Sequence, residues 1–281
     1  MTQAVDLAII ILTKDEELHI ERCIRSVGAI AAEIFVVDSF SADCTVEKAR
    51  SAGATVEQHP FVNYSSQFQW ALDHLPITSK WIMRLDADEL IEPALANEIA
   101  SKLPILSGDI TGVFLPRRLI FLGKPLLFGG RGKIFLLRIF RRGCARIENR
   151  WMDEHIMLFG GKAVVFKHTF VDHNLKPLKM FVDKHNHYAT KEAIDFFTEE
   201  VEGAGQKLEG LASVRIRMKR LIKMKVFYRL PIGLGPLAYF LYRYVILFGF
   251  LDGKTGLIYH VLQGLWYRFL VQAKIREMIQ K

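Results

Sequence analysis

Between residues 7 and 92 short apolar runs alternate with stretches whose apolar residues recur at helical spacing. Leu7 to Leu12, Ile34 to Val37, Ala54 to Glu57 and Trp81 to Leu85 read as strands, and the segments between them have helical length and periodicity. Strict alternation of this kind predicts an α/β fold, a mostly parallel sheet with helices on its faces. Ligands of such sheets sit beyond the carboxyl ends of the strands. Polar residues gather there: Thr13, Lys14, Asp15 and Glu16 after the first strand, Asp38, Ser39 and Ser41 after the second, Asp86, Asp88 and Glu89 after the fourth. The apolar run at the N-terminus follows Asp6 and precedes four charged residues, so it reads as a buried strand and not as an export signal.

The pattern turns helical near residues 170 to 205, which divides the chain into a first region, 1–175, and a second, 176–281. Val214 to Arg229 places Val214, Met218, Leu221, Ile222 and Val226 at helical spacing with seven Lys/Arg between them. This is a basic amphipathic helix, suited to anionic lipid or to a solvated face of an ordinary helix. Leu230 to Leu251 is more apolar, yet two prolines, its glycines and Arg243 interrupt it, so an interfacial helix or a re-entrant pair fits better than a spanning helix. Thr255 to Lys281 is again amphipathic and carries Trp266, Tyr267 and Phe269, residues that suit a headgroup boundary or a protein core.

Charge sharpens this division. The 281 residues are 51% hydrophobic and 24% charged with a net charge of +8, which excludes a disordered chain or a fibrous repeat. Residues 1–100 hold 7 Lys+Arg against 16 Asp+Glu (−9), leaving 31 against 14 (+17) for the rest. The second half is therefore expected to meet something anionic. An acidic first half would repel a nucleic-acid duplex, so the expected surface is phospholipid and no nucleic acid. Cys23, Cys44 and Cys144 are too scattered for a disulfide framework or a Cys-based zinc site, and suit a reducing, cytosolic setting.

No GxGxxG and no P-loop follows any strand, so phosphate must be held in another way, and a divalent metal on carboxylates is the usual alternative. In LDADE, residues 85 to 89, an extended strand end would project Asp86 and Asp88 to the same side, where they can share one hard cation. The competing reading makes Asp88 a helix N-cap. Ser41 or Asp43 would cap a helix over 44–52, which leaves Asp38 without a structural explanation.

AIIILTKDEE at 8 to 17, EIFVVDSFSADCT at 33 to 45, QFQWAL at 67 to 72 and WIMRLDADE at 81 to 89 resemble, in order, the family 2 glycosyltransferases of the GT-A fold, more narrowly their bacterial lipopolysaccharide-core and exopolysaccharide branch. The C-terminal YFLYRYVILFGFLDGKTGLIYHVLQGLWYRFLVQAKI is similar to the tail of that branch. Asp15 stands where relatives usually have Asn, and Gln69 where many do. The resemblance implies a GT-A catalytic domain followed by a C-terminal helical membrane-associating region. It implies a nucleotide-diphosphate sugar donor, with Thr13 and Glu16 lining the base and ribose pocket and Asp38 on the base. Ser41, Gln67 and Arg131 would join them in binding substrate. Asp86 and Asp88 would hold the ribose and a Mg²⁺ or Mn²⁺ cofactor, with His168 completing the metal site.

An inverting transfer also needs a carboxylate to take the acceptor's proton. RWMDEHI, residues 150 to 156, offers Glu154 as base and Asp153 as second choice, against a polar surface turn. The pairs His168, His173 and His185, His187 fit no common zinc spacing. Arg117, Arg118, Lys124, Arg131, Lys133, Arg138, Arg141 and Arg142 interleave with Leu and Phe, either cradling phosphate or flanking strands as solvated cations. The expected activity is an inverting, metal-assisted hexosyl transfer at the cytoplasmic face of the inner membrane, to a lipid-linked or lipopolysaccharide acceptor. Two alternatives are a sugar nucleotidyltransferase, which lacks its glycine-rich loop here, and a non-catalytic module that binds an anionic membrane or nucleic acid.

Overall fold

A computed structural model describes residues 4–132, 134–148, 156–202 and 230–280. By its internal contacts the chain forms two compact units: Met1–Leu127 with Arg131–Lys176, and Phe128–Gly130 with Pro177–Lys281.

In the first unit, strand and helix alternate through β1 (Val5–Thr13), α1 (Ile20–Val27), β2 (Ala31–Asp38), α2 (Thr45–Ser51), β3 (Thr55–Gln58), α3 (Tyr64–His74) and β4 (Trp81–Asp86). Every residue of β1 except Asp6 is buried, because the strand has a parallel neighbour on each side and helices over both faces. Its alternate side chains serve two cores: Ile9 and Ile11 pack with Ile20, Ile24 and Val27 of α1, while Ala8, Ile10 and Leu12 pack with Phe68 and Ala71 of α3. Helix α1 buries Ile20, Cys23, Ile24 and Val27, an i, i+3, i+4, i+7 stripe. Asn63 starts α3 through a reciprocal capping box with Ser66. Helix α2 begins later than 44, and the Thr45 N–H is taken by Asp43 Oδ1 at 3.0 Å.

Beyond residue 92 the alternation ends, and the pairing changes with it. After β5 (Glu89–Ile91) and α4 (Pro93–Lys102) come β6 (Ile110–Phe121), β7 (Lys124–Pro125), β8 (Ile134–Arg141), β9 (Ala145–Ile147), β10 (Ile156–Leu158), β11 (Lys162–Val165) and β12 (Phe170–His173). Leu122 and Gly123 turn β6 into β7 with φ of 46° and 75°, the two-residue geometry that joins antiparallel strands. The ten-stranded sheet runs β3-β2-β1-β4-β8-β6-β12-β5, with β7 and β11 also paired to β6; it is parallel from β3 to β4, and β8 is antiparallel to both β4 and β6. Strands β9 and β10 form a separate pair.

In the second unit, α5 (Leu178–Glu202) buries Ala189, Ala193 and Phe196 against Tyr267, Val271 and Ile275. Glu192 accepts hydrogen bonds from Tyr267 Oη at 2.5 Å and Arg268 at 2.8 Å. The apolar stretch breaks at Leu247 and Phe248 into two helical segments, Leu234–Ile246 and Gly249–Gln280, that meet at 73°. Among the described residues no single helix is long and apolar enough to cross a membrane. Arg243, which interrupts the apolar run in sequence, is only 4% exposed. Its Nε donates to Gly129 O at 2.8 Å, and its guanidinium lies over the rings of Tyr239 and Tyr259. Gly129 has φ of +62°, and a Cβ there would lie 2.2 Å from the buried His260 ring. Gly129→Ala is expected to cost about 1–3 kcal/mol, read as a lower melting temperature; an unchanged one would contradict this packing. The basic segment 214–229 lies outside the described residues.

Candidate active site

Parallel register brings the polar strand ends together, setting Thr13 level with Asp38 and Leu12 level with Asp86. The loops after β1 and β2 are laced to each other. Asp15 N–H donates to Ser41 Oγ at 2.8 Å, Ala42 N–H to Asp15 Oδ1 at 2.7 Å, and Glu16 N–H to Thr45 Oγ1 at 2.7 Å. Asp15 and Phe40 adopt φ of 53° and 59°. Asp, like Asn, tolerates the left-handed region, whereas Phe40 holds strain there.

Asp38 is fully buried. Its carboxylate accepts from Ser41 N at 2.9 Å, Gln58 Nε2 at 2.9 Å, Thr13 Oγ1 at 3.5 Å and the Ser41 hydroxyl. These four donors fix the carboxylate within the loop that follows β2. Gln67 is also withdrawn, at 1% exposure. Its amide joins Ser39 Oγ at 3.2 Å, His59 O at 3.1 Å and His59 Nδ1 at 2.8 Å.

Glu16 is partly exposed and already engaged. The N–H of Leu175 donates to His19 Nε2 at 2.8 Å, so the His19 ring proton sits on Nδ1 and is donated to Glu16 at 2.6 Å. Lys176 adds a second donor at 2.7 Å. Burial raises the Glu16 pKa, but these two hydrogen bonds outweigh it and bring it below the usual carboxylate value.

The acidic centre lies where β4 ends. Asp88 is no helix cap, since β5 intervenes and Glu92 occupies the N-cap position of α4. Asp88 Oδ2 accepts from Asn174 at 2.9 Å, and its carbonyl accepts the His173 N–H at 3.0 Å. Asp86 is flanked by Arg84 at 3.5 Å and Arg138 at 3.4 Å. Asp172, on β12 opposite Glu89, accepts from Arg117 at 3.2 Å. Burial, then repulsion from Asp88 and Asp86, pushes the Asp172 pKa up to about 6. Repulsion of this kind on Asp172 is relieved by a nearby cation. Burial, then Arg22 and His19, lowers the His173 pKa below the usual imidazole value.

Among the described residues no three His, Cys, Asp or Glu side chains converge as a metal cage. His168 does not join Asp86 and Asp88. Its backbone N–H and Nδ1 both bind Glu98 Oε2, at 2.9 Å each, because the turn after β11 closes over α4. The histidine whose backbone meets Asp88 is His173, and its ring Nδ1 lies 3.5 Å from Arg22. Of the eight cations between 117 and 142, Arg117, Arg118 and Arg138 pair with Asp172, Glu92 and Glu89, and Arg141 binds the carbonyls of Leu106, Ser107 and Ile110. Arg131 is half-buried in the loop before β8. Glu154 and Asp153 lie outside the described residues.

Residues 8–168 match the sequence profile of glycosyl transferase family 2. The chain belongs to this family. Over 282 residues it is 27% identical to an uncharacterized glycosyltransferase of Rickettsia felis, covering 96% of this chain and 89% of that relative. The mannosyltransferase PcManGT from Pyrobaculum calidifontis, solved with GDP-Man and Mn²⁺, has a similar fold: TM-score 0.54 at 14% identity, over 100% of this chain and 89% of that one. Glucosyl-3-phosphoglycerate synthase from Mycobacterium tuberculosis matches with a TM-score of 0.35 at 20% identity, over 40% of this chain and 44% of its own length.

In this family 2 glycosyltransferase, the segment Asp172–Lys176 supplies what motif reading missed: five consecutive residues, each bonded to the acidic centre, to the loop after β1 or to Arg117. The signal available in the sequence was DHNLK itself, a dense polar run directly after the apolar end of a strand.

Proposed function

We propose that the chain transfers a hexose, with inversion, from a nucleoside-diphosphate donor, UDP-linked by preference, to a lipid-linked or lipopolysaccharide or exopolysaccharide acceptor. The observation that carries this reading is the placement of Asp86 and Asp88 at the carboxyl end of β4, held by Arg84, Arg138 and Asn174, in a chain that matches glycosyl transferase family 2 over residues 8–168. A Mg²⁺ site at a nucleotide is commonly one or two carboxylates plus water and substrate phosphate, so a two-carboxylate donor set fits such an ion without a full protein cage. Asp86 and Asp88 would hold it. The complex of PcManGT with GDP-Man and Mn²⁺ supports the same pairing of donor and ion. When bound, the metal supplies positive charge that stabilises the departing diphosphate.

The chain's own residues do the rest. Arg138 and Arg84 fix the Asp86 carboxylate, and Asn174 fixes Asp88. Thr13, Glu16 and Ser41, on loops braced by Asp38, form the wall that receives the nucleoside. Arg131 would meet the diphosphate. Glu154, or Asp153, would take the proton of the acceptor hydroxyl as its oxygen bonds the anomeric carbon and the bond to the diphosphate breaks. The second unit would hold the enzyme on the cytoplasmic face of the inner membrane, where such acceptors are anchored.

Calorimetric titration of UDP with and without Mn²⁺ tests the donor site. Binding is expected to require the metal, and Asp88→Ala is expected to weaken it by about tenfold or more, roughly 1.4 kcal/mol. Metal-independent binding, or an unaffected Asp88→Ala, would overturn the assignment.

A further inference from the structure

We infer that a groove in the second unit seats one hydrocarbon chain of an anionic bilayer phospholipid, with Arg276 against its phosphate. The inference deepens the membrane reading above and rests on it. The groove, about 690 Å³, is walled by Ile232, Leu234, Leu237, Leu265, Trp266 and Phe269. Its size falls in the range of sites that enclose small ligands. The polar backbone groups at one end are already satisfied: Gly233 N–H donates to Gln272 Oε1 at 2.9 Å, and Gln272 Nε2 donates to Leu230 O at 2.9 Å. What remains open is hydrocarbon wall, which a polar ligand would not repay and an acyl chain would.

Charge selects the occupant. Arg276 is exposed and reaches Leu230 O at 3.5 Å, so it stands at that same end of the groove. Of the five Lys/Arg in residues 230–280, Arg243 is buried and Arg268 pairs with Glu192, which leaves Lys254, Lys274 and Arg276 against Asp252 and Glu277, a net of +1. Two copies of the groove would bring two Arg276 side chains together, whereas an anionic headgroup complements each of them. The same stretch exposes fourteen large apolar side chains, among them Ile246 at 63% and Phe248 at 56% beside the bend. An exposed apolar face of this extent suits the interface of a bilayer.

Trp266 lines the groove and reports directly on it. The full chain would be mixed with vesicles of brominated-chain phosphatidylglycerol and phosphatidylcholine, and with vesicles of brominated phosphatidylcholine alone. Quenching is expected only with the anionic vesicles, and the quenched signal should disappear in Trp266→Phe, although Trp70, Trp81 and Trp151 remain. Leu237→Glu, at a side chain 45% exposed and so tolerable to folding, should weaken vesicle binding about tenfold or more. Arg276→Gln should weaken it several-fold. Protein that pellets with anionic vesicles while Trp266 stays unquenched would overturn the groove and leave the membrane reading standing. Protein that does not pellet would overturn both, and UDP titration of the same sample would show separately whether the donor site survives. Equal binding to zwitterionic vesicles, or a dimer that Leu237→Glu dissolves, would also overturn the proposal.

Discussion

Arg138→Met lowers the unfolding free energy by about 3–5 kcal/mol, because it strands a buried carboxylate without its cation. Glu89 is 2% exposed and Arg138 is 6% exposed, and their side chains are paired directly. Burial opposes charge on both. It raises the Glu89 pKa well above the usual value, further lifted by Asp86 and Asp172, while for Arg138 the pull of Glu89 and Asp86 outweighs burial and raises the pKa. Arg138 therefore tolerates its interior position through the acids, and its charge opposes the rise that burial imposes on Glu89. Removing one partner leaves the full desolvation cost on the other. Glu89 Oε2 also accepts the Asp86 N–H at 2.9 Å, so the pair holds the peptide that carries the candidate metal ligand. Urea denaturation gives the measurement, with an unchanged slope required for a pure stability effect. The double variant Arg138→Met with Glu89→Gln removes both charges and should recover most of the loss. A single variant that loses less than about 1 kcal/mol would show that the pair does not carry the weight assigned to it.

This pair also marks where sequence reading stops. Strands β1 and β4 were legible because a strand buried on both faces is a continuous apolar run, and the helical stripe of α1 was equally plain, whereas β3, exposed at the sheet edge, was readable only from the alternation around it. Strand β5 was not, since three residues between a turn and a helix give no period, and Asp88 then resembles a cap. Glu89 and Arg138 are 49 positions apart, and nothing local says that β4 and β8 become neighbours. Asp38 and Gln67 show another limit. Asp38 at a strand end was readable, but the donors that hold it and the partners of Gln67 in α3 come from Gln58, Ser39 and His59, and no local pattern announces them. In KHTFVDH the sequence offers two histidines, and the pairing of β12 with β5 decides that His173, not His168, stands beside Asp88.

His168 is instead part of a second polar anchor, whose strength depends on pH. Glu98, on α4 with a side chain 3% exposed, accepts both Lys167 N–H contacts at 3.0 Å, the His168 N–H and ring at 2.9 Å, and Lys102 at 2.6 Å. Burial alone would raise its pKa, but Lys102 and these N–H donors bring it down to about 2. A carboxylate held below its unfolded value of 4.5 stabilises the fold fully above that value and progressively less as pH falls toward 2. At neutral pH the linkage is worth on the order of 3 kcal/mol. Glu98→Gln should lose most of that at pH 7, since an amide cannot accept so many donors with a full charge. At pH 3 wild-type Glu98 has already lost part of its advantage, so the gap between wild type and variant should shrink by about 2 kcal/mol. Denaturation of both proteins at the two pH values measures this. A gap of the same size at both would mean that Glu98 acts through packing, and that the turn after β11 is held by something other than charge.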